Sequence, residues 1–306
     1  MSPERVMVTV DDRHLSLSNL GKVLYPASGF TKGELLDYYS RIAGAMLPHL
    51  MDRPVTFRRF PDGTGGKSFI EKHVPSHAPD WIRTVKVPSR SAGEGRGRSS
   101  GEEVEYAVIN DRPALIWAAN LAAIEFHVPL WHAGRRAQLP GRPDHLVFDL
   151  DPGPGTSIVE CCRIASWIAD RLARGRREPV AKTSGSKGMQ VYVALPARTE
   201  WDAARERAFG IAQSIGKEHP ELVVTNMTKQ LRRGRVLIDW SQNHQAKTTV
   251  AVYSLRGGAD PYVSAPVTWD EVRACERGGD PDLLRFTAGE VLDRVERHGD
   301  LFSSLT

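Results

Sequence analysis

The strongest constraint on the fold is an apolar run that carries two acids and ends at a turn. Residues 146–151 read Leu-Val-Phe-Asp-Leu-Asp, and Pro-Gly-Pro-Gly follows them. Side chains alternate between the two faces of a β-strand, so Asp149 and Asp151 share one face while their apolar neighbours point into a core. The run therefore predicts a core strand that presents two carboxylates at an open edge.

Helical and extended patterns alternate along the rest of the chain. Thr31 and Glu34 form the capping box of a predicted helix whose apolar residues recur at helical spacing. The mixture of elements predicts the α/β (α+β) fold class. The predicted helices span 32–50, 113–124, 157–174 and 201–218. The predicted strands span 5–10, 54–60, 146–151, 191–195, 235–239 and 248–253.

A low-complexity stretch at 89–103 interrupts this pattern. It is rich in Ser, Gly and Arg and has little to bury, so we expect a mobile loop. Strand-like residues at 85–87 and 104–109 flank it, which favours a loop inside a hairpin over a linker between domains. We expect residues 1–306 to form a single domain, made of an N-terminal module at 1–140 and an acid-bearing module at 141–306.

Charge and cysteine content indicate which partner and which cellular compartment to expect for the chain. The 306 residues carry a net charge of +4 with a pI near 9.0, a mild indication of a phosphate-rich partner. Clusters such as Arg58-Arg59 are typical of solvated surfaces but also of a groove that follows a phosphate backbone. Three cysteines form neither a disulfide framework nor a zinc pattern, so we expect a cytoplasmic, nucleoid-associated protein. Neither a signal peptide nor an apolar run of about 20 residues is found, so no membrane partner is expected.

A third acid turns the first two into a candidate metal site. An isolated Asp-x-Asp is more often a pair of surface acids, but Asp239 ends another apolar run, Val-Leu-Ile-Asp. Clustered carboxylates repel each other unless a cation lies between them, and oxygen-only ligands suit Mg²⁺ or Mn²⁺. Together with Asp149 and Asp151, Asp239 would complete a two-metal site. In such a site one ion activates an attacking 3′-hydroxyl and the other neutralises a triphosphate.

Residues 182–190 supply a candidate anion-binding turn. They read Lys-Thr-Ser-Gly-Ser-Lys-Gly-Met-Gln, in which backbone N–H groups and Lys187 could converge on a phosphate, although such a turn is also typical of an ordinary hairpin. Arg256 ends a later strand and is a second phosphate candidate, with a plain surface arginine as the alternative. Gln242 follows Asp239 closely and could line the same pocket. For His127 the sequence alone favours a buried core histidine.

These motifs occur together and in order, and in this the chain resembles the polymerase domain of bacterial ligase D. The segments that carry the resemblance are Val-Phe-Asp-Leu-Asp-Pro-Gly-Pro-Gly, Lys-Thr-Ser-Gly-Ser-Lys-Gly, Ile-Asp-Trp-Ser-Gln-Asn, Lys-Thr-Thr-Val and Tyr-Ser-Leu-Arg. That family belongs to the archaeo-eukaryotic primase superfamily. The resemblance implies a primase-polymerase fold, in which a catalytic module like an RNA-recognition (RRM) fold packs on an N-terminal α/β module. It also implies template-directed gap filling, primer extension and end extension, with ribonucleotides preferred, in the repair of DNA breaks by non-homologous end joining.

The resemblance further implies cofactors, partners and site residues. Mn²⁺ or Mg²⁺ would be the cofactor, DNA ends with a 5′-phosphate and an NTP or dNTP the substrates, and Ku and a DNA ligase the partners. The implied metal ligands and catalytic residues are Asp149, Asp151 and Asp239. The implied nucleotide-binding residues are Ser184, Lys187, Gln190, Gln242, Arg256 and His127. The implied DNA-binding residues are Lys22 and Lys32 at the 5′-phosphate, Phe69 on the template, Arg232 between two bridged ends, and Arg58.

Two positions depart from the pattern of the family. Ile70 stands where a second template-stacking aromatic is found, and Gln190 stands where many members have histidine. Glutamine can donate a hydrogen bond to a phosphate oxygen but cannot carry a positive charge. We therefore expect nucleotide binding that is retained but weaker, and stacking through Phe69 alone.

Two other functions compete with the polymerase. One is a DNA-end-binding or bridging protein with weakened catalysis, which Gln190 favours and the three intact acids oppose. The other is a metal-dependent phosphodiesterase, although Arg256 and the Ser-Gly-Ser-Lys turn suit a triphosphate better. No ligase or phosphoesterase module is found, so we expect either a stand-alone polymerase or a part of a longer protein.

Overall fold

The computed structural model describes residues 4–88, 103–134, 139–173 and 178–306. Its helices are α1 (Lys32–Leu50), α2 (Arg112–Asn120), α3 (Ile158–Leu172), α4 (Trp201–Glu218), α5 (Trp269–Gly278) and α6 (Ala288–His298). Its strands are β1 (Arg5–Val10), β2 (Arg13–Ser18), β3 (Val23–Tyr25), β4 (Phe30–Thr31), β5 (Pro54–Arg59), β6 (Phe69–Glu71), β7 (Thr84–Pro88), β8 (Glu103–Val108), β9 (Ala123–Val128), β10 (His145–Pro152), β11 (Val180–Thr183), β12 (Met189–Ala194), β13 (Val223–Val224), β14 (Val236–Asp239), β15 (Thr249–Val250) and β16 (Pro266–Val267). The mixture confirms the predicted fold class.

The acid-bearing sheet has the strand order β13-β14-β10-β12-β11-β16. Its neighbours are antiparallel except β13 and β14, which run parallel. Helices α3 and α4 cover one face through a core that includes Phe148, Leu150 and Ile164, and α5 lies beside α3. Because side chains alternate along β10, Asp149 and Asp151 lie on the opposite face, as predicted.

A second sheet has the order β15-β9-β5-β8-β7, with β6 paired to β5. Helices α1 and α2 pack on it through a core that includes Leu35, Phe57 and Phe126. Strand β15 belongs to the second half of the chain, yet it pairs with β9 and sets Val250 opposite His127. The second half therefore contributes to both sheets, and the division into modules at residue 140 stays a prediction.

Most elements match their predictions to within two residues at their ends, and two end three or more residues earlier than predicted. Helix α2 ends at Asn120 instead of 124, because Ala122 has a positive φ of 60° and the next residues form β9. The strand predicted over 248–253 contracts to Thr249–Val250, and Tyr253 has a φ of 66°. Helix α1 begins at Lys32 with the predicted capping box, in which Thr31 is the N-cap and Glu34 lies in the first turn.

The predicted hairpin around the low-complexity stretch is confirmed in its arms, since β7 and β8 pair antiparallel. The mobile loop predicted at 89–103 lies outside the described residues, apart from Glu103 at the start of β8. Within the described ranges, no helix is both long and apolar enough to cross a bilayer.

Candidate active site

Two neighbouring strands bring the three predicted acids to one face. Strands β10 and β14 pair so that Asp149 lies directly opposite Asp239, while Asp151 lies two residues further along β10. Asp239 is buried, and the Asp151 side chain is 53% exposed. The acids therefore form a row that runs from the floor of a cleft to its rim.

The electrostatics of Asp149 fit a cation site. Burial, together with the charges of Asp239 and Asp151, raises the pKa of Asp149 to about 6. A hydrogen bond from Gln190 opposes this rise. A cation between these acids would remove the repulsion, and carboxylate oxygens are the ligands that Mg²⁺ and Mn²⁺ accept.

The acids are held apart by partners within the protein. Asp151 forms an ion pair with Arg232, at 2.8 Å between Oδ2 and Nη1. Asp239 accepts hydrogen bonds from the Ser241 N–H (2.9 Å) and from Gln242 Nε2 (2.9 Å). Among the residues that the structure describes, no three His, Cys, Asp or Glu side chains are grouped closely enough to hold an ion as they stand. Coordination through Asp151 Oδ2 would require Asp151 to leave Arg232, and the metal site stays a prediction.

Gln190 lies on the floor of the cleft, beside Asp149 across the β10–β12 pairing. Its Nε2 donates to Asp149 Oδ1 at 3.0 Å, and its Oε1 lies 3.1 Å from the Tyr192 hydroxyl. The side chain is buried. One amide proton of Gln190 is therefore used on a predicted metal ligand, which leaves a single N–H for a phosphate oxygen.

The predicted phosphate turn is the hairpin between β11 and β12. Its Ser184 Oγ accepts hydrogen bonds from the N–H groups of Ser186 (3.3 Å) and Gly188 (3.1 Å). The Ser184 hydroxyl thus accepts from two of the N–H groups of the turn, and the binding of an anion there stays a prediction. Lys187 is exposed beside the acids and remains a candidate for phosphate. Gly185 has a φ of 67°, and a Cβ there would lie 2.6 Å from Arg256 Cγ, so the turn packs tightly on that side chain.

The cleft unites nearly all the predicted site residues. It has a volume of about 400 Å³ and opens beside the three acids. The predicted residues that line it are Asp149, Asp151, Asp239, Ser184, Lys187, Gln190, Gln242, Arg256, His127 and Arg232. Lys22, Lys32, Arg58 and Phe69 do not line it. A larger cavity of about 500 Å³ is lined in part by the same hairpin but by none of the three acids, so the smaller cleft is the candidate site.

His127 is a cleft residue and not the core histidine that the sequence favoured. Its side chain is 22% exposed and its Nε2 lies 2.9 Å from Glu125 Oε2. Glu125 is 1% exposed and also faces Arg256, and the sequence reasoning assigned it no role. Burial raises the pKa of Glu125, but the His127 hydrogen bond and the Arg256 charge outweigh it and hold the pKa at about 2. Its only sequence signal is the two-residue spacing from His127, which puts both on one face of β9.

The two lysines predicted at the 5′-phosphate lie near each other, outside the cleft. Lys32 is buried, and its Nζ donates to the Ser18 carbonyl at 2.6 Å. Burial, aided by the charges of Lys22 and Arg59, lowers the pKa of Lys32 to about 8. Lys22 Nζ is more exposed and lies 3.4 Å from Asp62 Oδ1. This concentration of positive charge is suited to an anion.

The other DNA-binding candidates lie on β5 and β6. Phe69 and Ile70 are 44% and 66% exposed, so both side chains are available to a partner. Arg59 lies over the Phe69 ring, 5.2 Å from its centroid. Arg58 donates to Glu125 Oε1 at 3.2 Å and to Ser68 Oγ at 3.2 Å. Arg58 therefore spends two of its five donors within the protein.

This combination of sheets, with a row of acids and several basic side chains lining one cleft, defines a primase-polymerase domain. The chain belongs to the LigD primase-polymerase domain family, whose family model matches residues 31–302. The multifunctional non-homologous end joining protein LigD of Mycolicibacterium smegmatis is 42% identical over 289 residues, which cover 94% of this chain and 36% of that protein. The bifunctional non-homologous end joining protein LigD of Bacillus subtilis is 29% identical and is matched over 43% of its length. The chain thus spans less than half the length of these curated relatives.

A solved structure agrees with the family assignment. The polymerase domain of Mycobacterium tuberculosis Ligase D, in complex with DNA, matches with a TM-score of 0.86 and 39% sequence identity. The match covers 95% of this chain and 97% of that one. This similarity confirms the primase-polymerase fold that the resemblance implied.

Proposed function

We propose that the chain is a nucleotidyltransferase that fills gaps and extends primers at DNA ends during non-homologous end joining, with ribonucleotides preferred. The observation that carries the proposal is the cleft itself, in which three acids on paired strands face Lys187 and Arg256. Negative and positive groups so placed suit an attacking hydroxyl on one side and a triphosphate on the other. The DNA-bound structure of a 39% identical polymerase domain supports the same function.

Asp149, Asp151 and Asp239 would hold Mn²⁺ or Mg²⁺. The ions would supply activation of the 3′-hydroxyl and neutralisation of the charge that develops on the triphosphate. The protein side of the site would act by positioning. Lys187 and Arg256 would bind phosphate oxygens, and charge-assisted hydrogen bonds of this kind are stronger than neutral ones.

Ser184, Gln190, Gln242 and His127 would complete the nucleotide site. Ser184 carries a hydroxyl at the phosphate turn, and Gln242 and His127 line the cleft where a sugar and base would lie. Gln190 Nε2 already donates a hydrogen bond to Asp149, which supports weaker phosphate binding than a protonated histidine would give. The sugar preference would be set by contacts to the 2′-hydroxyl, a donor and an acceptor that distinguishes RNA from DNA.

The DNA would lie along the basic and aromatic residues outside the cleft. Lys22 and Lys32 would bind the 5′-phosphate of the downstream strand, and Phe69 would stack on a template base, a contact that tolerates any sequence. Arg232 would contact a second DNA end, with Arg58 as a further backbone contact. Ku and a DNA ligase would act on the same ends, which would place the chain with the nucleoid in the cytoplasm.

A second candidate function is DNA-end binding with weakened catalysis. Two observations favour it, the Asp151–Arg232 ion pair and the hydrogen bond from Gln190 to Asp149. In both, residues of the site interact with each other and not with a substrate. A phosphodiesterase has less support, because Lys187 and Arg256 line the same cleft as the acids, and such basic groups suit a triphosphate.

One assay separates these functions. A gapped duplex with a 5′-phosphate is incubated with the protein, Mn²⁺ and labelled ATP or dATP, and the products are resolved by length. We expect extension by one or a few nucleotides, with ATP used better than dATP. A duplex that is bound but not extended would favour the second candidate, and shortened DNA would favour hydrolysis.

A further inference from the structure

Glu125 is a buried carboxylate surrounded by four donors. Its Oε1 accepts hydrogen bonds from Arg58 Nη1 at 3.2 Å and from the Gly257 N–H at 3.0 Å. Its Oε2 lies 2.9 Å from His127 Nε2 and 3.5 Å from Arg256 Nε. A buried charge with this many partners is stable where an unpaired one would not be.

The two oxygens of Glu125 serve different parts of the molecule. Arg58 and the Gly257 backbone hold Oε1 on the side of the second sheet, whereas Oε2 faces the side chains of His127 and Arg256. Both of those side chains line the cleft, and Glu125 itself does not. Glu125 therefore does not contact a nucleotide in the cleft directly, and its contacts with the cleft are through His127 and Arg256.

The backbone of Arg256 is fixed without Glu125. Its N–H donates to the Tyr262 carbonyl and its carbonyl accepts from the Tyr25 hydroxyl, both at 2.9 Å. The guanidinium is held differently, since Arg256 Nε is buried with no hydrogen-bond partner among the described residues. Within those residues the ion pair of Arg256 is with Glu125. Glu125 is thus the charged group against which the Arg256 guanidinium is placed.

We propose that Glu125 is a positioning residue, which aims the Arg256 guanidinium and the His127 imidazole into the cleft toward the nucleotide. This inference rests on the proposed function. A glutamine at this position would keep the shape but lose the charge, and its amide would present N–H donors to groups that are themselves donors. An aspartate would keep the charge and withdraw the carboxylate by one methylene.

The sign of the effect separates positioning from simple electrostatics. Removal of a negative charge next to Arg256 makes the cleft more positive, and electrostatics alone would then tighten the binding of a triphosphate. Loss of positioning does the opposite, because Arg256 and His127 would no longer be fixed toward the ligand.

The test compares Glu125→Gln and Glu125→Asp with the wild-type full chain. The Kd for ATP with Mn²⁺ is measured by calorimetry without DNA, and KM and kcat are measured in the gap-filling assay. We expect Glu125→Gln to raise Kd and KM about tenfold or more with a smaller change in kcat, and Glu125→Asp to raise them less. In an Arg256→Ala background the effect of Glu125→Gln should shrink about threefold or more, since coupled residues are not additive.

Glu271→Gln is the matched control. Glu271 also pairs with an arginine, Arg294, but lines no part of the cleft, so its Kd and KM should match those of the wild type. An unchanged or lower Kd in folded Glu125→Gln overturns the proposal, and so does an equal effect in the Arg256→Ala background. Where Glu125→Gln fails to fold by thermal melting, Glu125→Asp is judged by the same criteria. A wild type that binds ATP without extending DNA contradicts the proposed function alone, whereas one that does not bind ATP contradicts both.

Discussion

Asp149 lies in an unfavourable electrostatic position for a charged carboxylate. Burial and the neighbouring charges raise its pKa to about 6 in the folded protein. Its pKa in the unfolded chain would be about 4. The folded state therefore binds the proton more tightly, so the free energy of unfolding falls as the pH rises from about 4 to about 6.

Replacement of this one acid should make the metal-free protein more stable. We predict that Asp149→Asn raises the free energy of unfolding by about 2 kcal/mol at pH 7.5, because the penalty of the buried charge is removed. The gain should largely disappear near pH 4, where Asp149 is protonated in the folded state and about half protonated in the unfolded state. Urea unfolding in the presence of EDTA at the two pH values measures it, with exposed Asp37→Asn on α1 as the control. A gain that is the same at both pH values would contradict this account of Asp149.

The contribution of Gln190 to nucleotide binding can be tested with a single substitution. A protonated histidine at this position would add a positive charge beside the predicted triphosphate, so we predict that Gln190→His lowers the nucleotide KM, by about tenfold at most. Exposed Gln213→His on α4 should leave KM unchanged. A larger gain would mean that the native site is impaired, and a rise in KM would mean that the Gln190–Asp149 hydrogen bond matters more than the added charge.

At the scale of elements, the short 3₁₀ helix Lys229–Arg232 holds the end of β10. Its last residue pairs with Asp151, and the same guanidinium donates to the Met227 carbonyl at 3.0 Å. Because Asp151 is a predicted metal ligand, the ion pair competes with metal binding. The position of this helix should therefore be coupled to the binding of metal at Asp151.

We predict that Arg232→Ala raises the affinity for Mn²⁺ about threefold to tenfold, since the ion pair with Asp151 no longer has to break. Titration of Mn²⁺ by calorimetry measures this directly and needs no substrate. The adjacent and exposed Arg233→Ala is the control for the loss of one positive charge. An equal gain in both variants would point to general electrostatics, and no gain in Arg232→Ala would show that the ion pair does not oppose the metal.

The strands that carry the acids were predictable because their signal is local. An apolar run with acids at a two-residue spacing has one arrangement that buries its core face, and the sheet adopts it at Asp149 and Asp151. The end of α2 was not predictable in this way, because it depends on the pairing of β9 with β5. The role of Glu125 also escaped, since two of its partners, Arg256 and Gly257, lie in a distant part of the sequence.

The phosphate turn shows the same limit within one hairpin. Its Gly-Ser-Lys sequence correctly indicated a tight turn beside the acids, with a positive φ at Gly185. The acceptor that two of these N–H groups face is the Ser184 hydroxyl, and this depends on the orientation of the Ser184 side chain. Residue type and spacing alone do not determine that orientation.

At the scale of the whole molecule, the cleft exists only when both halves of the chain are folded together. Its walls come from the acid-bearing sheet on one side and from β9 with β15 on the other. The sequence resemblance anticipated this arrangement, because its motifs supply residues to both walls. The central claim is that the three acids of this cleft carry out nucleotide addition.

The most direct test of that claim is single-nucleotide incorporation into the 5′-phosphorylated gapped duplex by the wild type and by Asp149→Ala. The control is Asp37→Ala, which makes the same substitution at an exposed aspartate outside the cleft. We predict incorporation by the wild type and Asp37→Ala, and a rate at least about a thousandfold lower for Asp149→Ala with DNA binding retained. Incorporation by Asp149→Ala at the rate of the wild type would contradict this prediction.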